Sequence, residues 1–302
     1  MMHTHFLHGI TTCRNCSKAI AYEVYLWYQV VKYDLAASTI PAMIFTLAVW
    51  HTYSGAWSEL PVTLLKGLVY FSLYIFTFCL SNQLSGVEED RINKPDRPLV
   101  RHLITYKGGR IRWAVSMLLY AAIGGWFGVL GWTFLWQIVT ILHNRFGWAK
   151  HWFTKNLAMF LGTLAQLAAA WELTLPLNMV GWRWVFTISL GVFFLVGLQD
   201  LRDVAGDKKG DRKTLPIVYG MKPVRIALAV GFTVQVMVVH FLLIAPAGLS
   251  VLHWLCDVIL GLGSLCIAYR ILHYHTPNAD HNTYMLYNYW YCLALACAFV
   301  LL

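Results

Sequence analysis

The sequence predicts an all-α membrane protein that crosses the bilayer nine times. Hydrophobic residues make up 59% of the 302 residues and charged residues only 12%. The mean hydropathy of +0.57 is far above that of an ordinary soluble domain. The apolar residues lie in runs long enough to cross a hydrocarbon core about 30 Å thick as helices. The predicted spans are 33–52, 61–82, 111–127, 129–143, 156–173, 182–199, 224–245, 249–271 and 284–302.

The first residues differ from the rest of the chain in composition. They have no long apolar run, and we expect a cytosolic N-terminal tail and the lead-in to the first helix over 1–32. No Ser-, Gly- or Pro-rich linker divides the remainder, so we expect 33–302 to form a single polytopic domain. A Gly-rich junction over 124–131 separates the third span from the fourth.

The positions of the basic residues predict the orientation of the spans. Of the 23 Lys and Arg residues, only Lys66 and Arg183 fall at the opposite end of the spans. The predicted loops on that side contain none, and they are 51–60, 122–132, 172–181 and 245–252. Because cytosolic loops are enriched in Lys and Arg, the N-terminus and the loops after spans two, four, six and eight are expected in the cytosol. The same bias explains the net charge of +9 without a nucleic-acid partner.

A charged stretch, NQLSGVEEDRINKPDRP over 82–98, follows the second span. Charged groups at a membrane boundary are costly to place and indicate a functional site. At about 100° per residue, one helical face carries a glycine and several oxygen-bearing side chains: Asn82, Gly86, Glu89, Asp90 and Asn93. Such oxygens suit a hard cation such as Mg²⁺, and the interleaved Lys and Arg suit phosphate oxygens.

A second acidic cluster, DLRDVAGD, follows the sixth span. Asp200, Asp203 and Asp207 are spaced i, i+3 and i+7 and therefore share one helical face. If the two clusters face each other, they can hold a diphosphate through bridging Mg²⁺ ions. The alternative is that both are solvated cytosolic loops of mixed charge. The concentration of acidic residues in the two stretches favours the site.

The two motifs resemble those of the UbiA superfamily of intramembrane prenyltransferases, which are NxxxDxxxD and DxxxD. The first stretch is similar to the homogentisate-prenyltransferase and chlorophyll-synthase branch, and its ending, EDxxNKPxRP, is closer to the fungal UbiA-type terpene cyclases. One position departs from the family: Gly86 stands where the transferases have Asp. Glu89, on the same face, is the candidate replacement. The resemblance implies nine helices around a central cavity with a cytosolic cap, and one catalytic domain over 33–302.

The resemblance also implies roles for residues of both motifs. Four residues are expected to be catalytic through the metal: Asn82, Asp90, Asp203 and Asp207. Glu89 and Asp200 are expected to complete the Mg²⁺ ligands. Basic side chains are expected to bind the diphosphate: Lys94, Arg97, Lys150, Arg202, Lys209 and Lys213. For Lys150, which follows the fourth span, anchoring to anionic lipid is an equally good interpretation.

A carbocation released from an allylic diphosphate needs a dry cavity with aromatic walls. The candidates in the predicted spans are Phe160, Trp171, Phe186, Phe193, Phe194, Tyr284 and Tyr287. Any one of these rings could instead serve only in helix packing.

Three function classes are consistent with these observations. The favoured one is Mg²⁺-dependent ionisation of a prenyl diphosphate (farnesyl, with geranylgeranyl second) followed by cyclisation to a terpene, a sesquiterpene first. The second is prenyl transfer to an aromatic acceptor, and the third is a transporter or lipid-binding protein, which would need neither acidic motif. The expected partners are the prenyl diphosphate and membrane lipid, with no nucleic acid and no obligate protein. The expected location is a membrane with the motif loops in the cytosol, in a eukaryote the endoplasmic reticulum.

Overall fold

A computed structural model of the chain describes residues 2–53, 55–248 and 250–302, with side chains from residue 17 onward. Helices α1 to α14 are, in order, Met2–Val31, Thr39–Tyr53, Leu60–Ser85, Val87–Asn93, Tyr106–Trp126, Leu130–Arg145, Trp152–Glu172, Met179–Leu195, Asp200–Lys209, Leu215–Tyr219, Met221–Val239, Val251–His273, Pro277–Ala296 and Ala298–Leu301. Tighter 3₁₀ turns occupy Leu35–Ala37, Trp148–Lys150, Val196–Gln199 and Ala245–Ala247, and a π turn occupies His240–Ile244. Within these ranges there is no β-strand, in agreement with the predicted all-α class.

Each predicted span overlaps one of the long helices. Six helical segments of the described chain are long and apolar enough to cross a membrane: Leu35–Tyr53, Leu60–Ser85, Met179–Lys209, Met221–Ala247, Val251–His273 and Pro277–Leu301. The chain is therefore an integral membrane protein. The other three predicted spans overlap α5, α6 and α7, and the count of nine crossings stays a prediction.

The N-terminal segment, expected as a cytosolic tail and helix lead-in, is helical, and its cytosolic location stays a prediction. It forms the helix α1, whose last turns bury Leu26, Val30 and Val31. The Gln83 side-chain amide of α3 donates to the Val30 carbonyl over 2.9 Å. Polar residues recur throughout this segment of the sequence, which therefore predicts no span there. The C-terminal end of α1 nevertheless packs on α3 beside the first acidic motif.

Two bends in the helices position the acidic motifs. Helix α3 ends at Ser85, and Gly86 separates it from the short helix α4, which carries the first motif. Helix α8 ends at Leu195, and the turn Val196–Gln199 leads into α9, which carries the second. Because each short helix continues from a long apolar one, both motifs lie at the same end of the bundle.

Candidate active site

The two acidic motifs are in direct contact. Helices α4 and α9 approach so closely that a Cβ added to Gly206 would lie 2.1 Å from the Asn93 side-chain nitrogen. Arg212, just after α9, pairs with the Glu89 carboxylate of α4, and its Nη1 lies 3.7 Å from Asp207 Oδ1 of α9. One guanidinium therefore joins the first motif to the second.

A cavity, called the main cavity below, is lined by side chains of both motifs. Along α3 its lining changes from Asn82, at the motif end, to Phe78 and Tyr74 one and two turns earlier in the helix, so the cavity has two chemically distinct parts. Charged and amide side chains line one part: Asp34, Asn82, Glu89, Asp90, Asn93, Lys94, Arg97, Lys155, Gln199, Asp203 and Arg212. Aromatic rings line the other: Tyr74, Phe78, Trp136, Tyr284, Tyr287 and Tyr291. A ligand with an anionic head and an apolar tail fits this division.

Ion pairs organise the charged part. Both oxygens of Asp90 accept from Arg97 Nη1, over 2.7 and 2.8 Å, and Arg97 Nη2 lies 3.9 Å from Asp34 Oδ2. On the opposite wall, Lys155 of α7 donates to Asp200 of α9. These pairs hold four buried charged side chains, Asp90, Arg97, Lys155 and Asp200, in fixed places, because an unpaired buried charge is costly.

Burial shifts the pKa of three charged residues of the first motif that lie outside the membrane spans. It raises the pKa of Glu89 and of Asp90 above the usual carboxyl range, although the neighbouring Arg212 and Arg97 oppose the rise. It lowers the pKa of Lys94. In each case burial disfavours the charged form, so a ligand of opposite charge is bound favourably. A metal cation suits the carboxylates, and phosphate oxygens suit the lysine.

Six of the predicted site residues line the main cavity: Asn82, Glu89, Asp90, Lys94, Arg97 and Asp203. Asp200 is fully buried behind the wall, against Lys155. Asp207 is 1% exposed, and neither of its carboxylate oxygens has a hydrogen-bond partner among the described residues. Arg212, 3.7 Å away, is its charged neighbour. A buried carboxylate that accepts no hydrogen bond has lone pairs available for a cation.

Four predicted diphosphate-binding residues lie outside the cavity lining. The side chains of Lys150, Lys209 and Lys213 are exposed, and the Lys213 backbone nitrogen donates to the Lys150 carbonyl over 2.6 Å. Arg202 lies 4.5 Å from the centre of the Tyr284 ring and donates to Asp203 Oδ1 over 3.3 Å. Arg202 therefore holds the carboxylate of Asp203 in place, although Arg202 itself does not line the main cavity.

The model of the UbiA prenyltransferase family matches residues 38–293. The chain belongs to this family.

The relatives of this UbiA protein are terpene cyclases and prenyltransferases. It is 38% identical to somaliensene A/B synthase of Streptomyces somaliensis, over 94% of this chain and 95% of that protein. It is 34% identical to the diterpene cyclase eriG of Hericium erinaceus, over 92% of this chain and 88% of that protein. The polyprenyl transferase eriF of the same fungus is 28% identical over 91% and 94%. The chain is thus a prenyl-diphosphate enzyme of the terpene cyclase or prenyltransferase type.

The fold agrees with this assignment. A UbiA homologue from Archaeoglobus fulgidus, solved with DMAPP and Mg²⁺, superimposes with a TM-score of 0.68 at 12% identity. The match covers 91% of this chain and 98% of that one. At this identity the similarity establishes the fold.

Three charged residues of the UbiA cavity were not predicted: Asp34, Lys155 and Arg212. Lys155 lies in the first turn of an apolar helix, where a lysine is typical of an interface anchor. Arg212 belongs to a run of basic residues, 208–213, and its charge alone does not distinguish it from its exposed neighbours. For Asp34 the sequence offers no signal, because its neighbours Arg97 and Cys79 are distant in the chain.

The predicted aromatic wall is partly correct. Tyr284 and Tyr287 line the cavity, while Trp171 is buried in the core and Phe186 and Phe194 are at least half exposed. Phe160 and Phe193 pack edge to face with each other, with ring centres 6.4 Å apart. The main aromatic wall comes instead from a stack centred on Trp136, described below.

The donor set fits Mg²⁺ held together with a diphosphate. Among the described residues there is no group of three or more Asp, Glu, His or Cys already arranged to hold a metal ion. Mg²⁺ is usually held by one or two protein carboxylates with substrate phosphates and water completing its shell. This arrangement is consistent with the oxygens that line the cavity, those of Asn82, Asp90 and Asp203. It is also consistent with Asp207 of the second motif, whose carboxylate accepts no hydrogen bond among the described residues.

Proposed function

We propose that this UbiA enzyme ionises a linear prenyl diphosphate and cyclises the resulting cation to a terpene. The observation that carries the proposal is the main cavity, in which the ionic part made by both motifs opens directly into the aromatic part. The high identity to a somaliensene synthase and a diterpene cyclase over nearly the full chain supports it.

The ionic part binds and activates the diphosphate. The cavity cations Lys94, Arg97, Lys155 and Arg212 face its oxygens, and Asn82, Asp90 and Asp203 would hold Mg²⁺ with Glu89 beside them. Mg²⁺, when bound, neutralises charge that develops on the leaving diphosphate. The ion pairs fix these donors before the substrate arrives, which reduces the reorganisation needed during bond breaking.

Glu89 is well placed to replace the carboxylate missing at Gly86. A Cβ added to Gly86 would lie 3.7 Å from Glu89 Oε2, so the glutamate reaches the space that the family's aspartate would use. Glu89 comes from the next turn and is held by Arg212. The position thus keeps a carboxylate while the glycine leaves room beside the diphosphate.

The aromatic part stabilises and protects the cation. The Trp136 ring is stacked between Tyr74, with ring centres 4.7 Å apart, and Phe78, with ring centres 4.8 Å apart. Trp136 Nε1 donates to the Tyr74 carbonyl over 3.0 Å, which fixes the indole plane. Such π faces attract a carbocation, and the apolar walls exclude the water that would capture it.

Prenyl transfer to an aromatic acceptor is the second candidate function. It is favoured by the relationship to the polyprenyl transferase eriF and to a 2-acyl-4-prenylphloroglucinol 6-prenyltransferase of Humulus lupulus, 29% identical over 55% of this chain. The relatives of higher identity are cyclases, and cyclisation is therefore preferred.

The two functions are separated by one experiment. The purified protein in nanodiscs with Mg²⁺ receives farnesyl or geranylgeranyl diphosphate alone, and we expect a cyclic hydrocarbon by gas chromatography–mass spectrometry. Farnesyl diphosphate is the first substrate, and the eriG relationship makes geranylgeranyl diphosphate the second. Diphosphates that stay intact until homogentisate or 4-hydroxybenzoate is added would establish the transferase function instead.

The proposed orientation places both motifs in the cytosol. In a variant lacking Cys13 and Cys16, a cysteine introduced at exposed Lys208 should react with an impermeant thiol reagent from the cytosolic side only. A cysteine at exposed Ser58, between α2 and α3, should react from the other side only, because positive-inside sorting separates the two loops. Labelling of both from one side would contradict the orientation.

A further inference from the structure

His143, in the last turn of α6, separates two cavities. It lines the main cavity and also a polar groove, whose other polar and charged lining residues are Asn82, Ser85, Glu88, Glu89, Tyr106, Asn144, Lys150 and Arg212. Asn82, Glu89 and Arg212 line both spaces as His143 does. The residue is 5% exposed. Its imidazole therefore connects the reaction space to a hydrophilic space without being open to solvent.

The protonation of the His143 ring is set by its neighbour. Nδ1 lies 3.0 Å from Asn144 Oδ1. With the amide oxygen as acceptor, this contact fits the neutral tautomer in which Nδ1 carries the ring proton and Nε2 has the lone pair. Nε2 has no hydrogen-bond partner in the described part of the chain. A lone pair on Nε2 that meets no protein donor is available to accept a proton.

The ring lies against the aromatic wall. Its centre is 5.2 Å from the centre of the Phe78 ring, which stacks on Trp136. Each of the four carboxylates that line the main cavity lies against a guanidinium and is therefore less suitable as a base. Arg97 lies against Asp90 and Asp34, Arg212 against Glu89, and Arg202 against Asp203. His143 instead offers a neutral base next to the part of the cavity that holds the hydrocarbon.

We propose that His143 Nε2 accepts the proton that ends the cyclisation and delivers it to water in the polar groove. This inference rests on the proposed cyclase function. A C–H bond next to the cationic carbon breaks, its electron pair forms a C=C bond, and the proton moves to Nε2. The imidazolium then loses a proton to water in the groove, which restores the neutral ring.

The test replaces the base but keeps the ring. In His143→Phe, the contact with Phe78 is kept and the acceptor nitrogen is lost. We expect diphosphate release within about threefold of the wild type, because ionisation does not use the base. We expect the wild-type hydrocarbon to fall at least about tenfold, as for loss of a general base, replaced by olefins with other double-bond positions or by alcohols from water capture. The exchange His273→Phe, at an exposed histidine of α12, is the matched control and should leave the products unchanged.

Two outcomes would overturn the inference. An unchanged product mixture in His143→Phe would mean that diphosphate or another group takes the proton. An equal loss of diphosphate release and of product in both His143→Phe and His143→Gln would mean that the residue supports folding or ionisation. If the wild type itself makes no cyclic product, the proposed cyclase function is wrong. If the wild type makes the product and His143→Phe leaves it unchanged, only the role of His143 is wrong.

Discussion

Replacing Asp203 by alanine is expected to abolish diphosphate release. The carboxylate lines the main cavity and is proposed to hold Mg²⁺, and loss of such electrostatic stabilisation at a leaving group costs about a thousandfold or more in rate. Asp203 is partly exposed and its partner Arg202 also contacts His281, so folding should be little affected. The measurement is diphosphate released by purified protein in nanodiscs with Mg²⁺ and substrate.

For Asp90 the sharper variant is Asp90→Asn. Alanine would leave the Arg97 guanidinium buried without its carboxylate, at a cost of about 3–5 kcal/mol, and would mix a folding defect with the catalytic one. Asparagine removes the charge but keeps the shape and one oxygen that can accept from Arg97, and the Asp34 carboxylate stays 3.9 Å from Arg97 Nη2. Glu88→Ala is the matched control, since Glu88 is exposed on the same helix α4 and should retain wild-type activity. Full turnover of the wild type in excess EDTA would contradict the Mg²⁺ assignment.

Local patterns in the sequence correctly predicted part of the cavity lining and the positions of the long helices. Helical periodicity predicted Asn82, Glu89 and Asp90 on one face of a single helix, and all three line the main cavity. The helix is nevertheless interrupted at Gly86, so Asn82 belongs to α3 and the two carboxylates to α4. The apolar runs located the long helices for the same reason: a membrane helix satisfies its backbone internally and needs only an apolar surface. These features depend on residues close together in the chain.

The missing parts of the site depend on contacts distant in sequence. Arg212 reaches Glu89 because the chain turns back after α9 through Asp211, a non-glycine residue at φ 51°. Lys155 becomes a buried cavity residue only because Asp200 lies opposite it on α9. Composition and charge patterns assign a basic residue to a side of the membrane, but they do not distinguish one that points into the cavity from one, such as Lys209, that points into solvent.

The same limit applies to the aromatic wall. Spacing cannot separate a ring that faces the cavity from one that faces lipid, because both faces of a membrane helix are apolar. Trp136 faces inward since Gly162 of α7 leaves space for it: a Cβ there would lie 2.3 Å from the indole. The direction in which the Trp136 ring points therefore depends on a glycine of a neighbouring helix, which the spacing of aromatic residues within α6 does not reveal.

Gly206→Ala is expected to reduce activity about a hundredfold, because a displacement near 1 Å in a catalytic constellation has effects of that size. The added methyl would overlap the Asn93 carboxamide, whose three outer atoms would lie 2.1–2.5 Å away. Either Asn93 leaves its place in the cavity lining, which removes an oxygen-bearing side chain from the site, or α4 and α9 move apart, which separates the two motifs. Helix formation itself should not suffer, since alanine is a better helix former than glycine.

Gly210→Ala provides the control for this last prediction. Gly210 follows the same helix α9, and a Cβ there would meet atoms only at ordinary distances of 3.5–3.7 Å. Gly210→Ala should therefore keep wild-type diphosphate release, whereas the double variant Gly206→Ala/Asn93→Ala should be more active than Gly206→Ala alone, because removing the carboxamide relieves the overlap. Equal loss in both glycine variants, or no recovery in the double variant, would mean that the α4–α9 contact does not align the motifs. Recovery would show that the glycine acts through this contact, by letting two acidic helices approach within reach of one diphosphate.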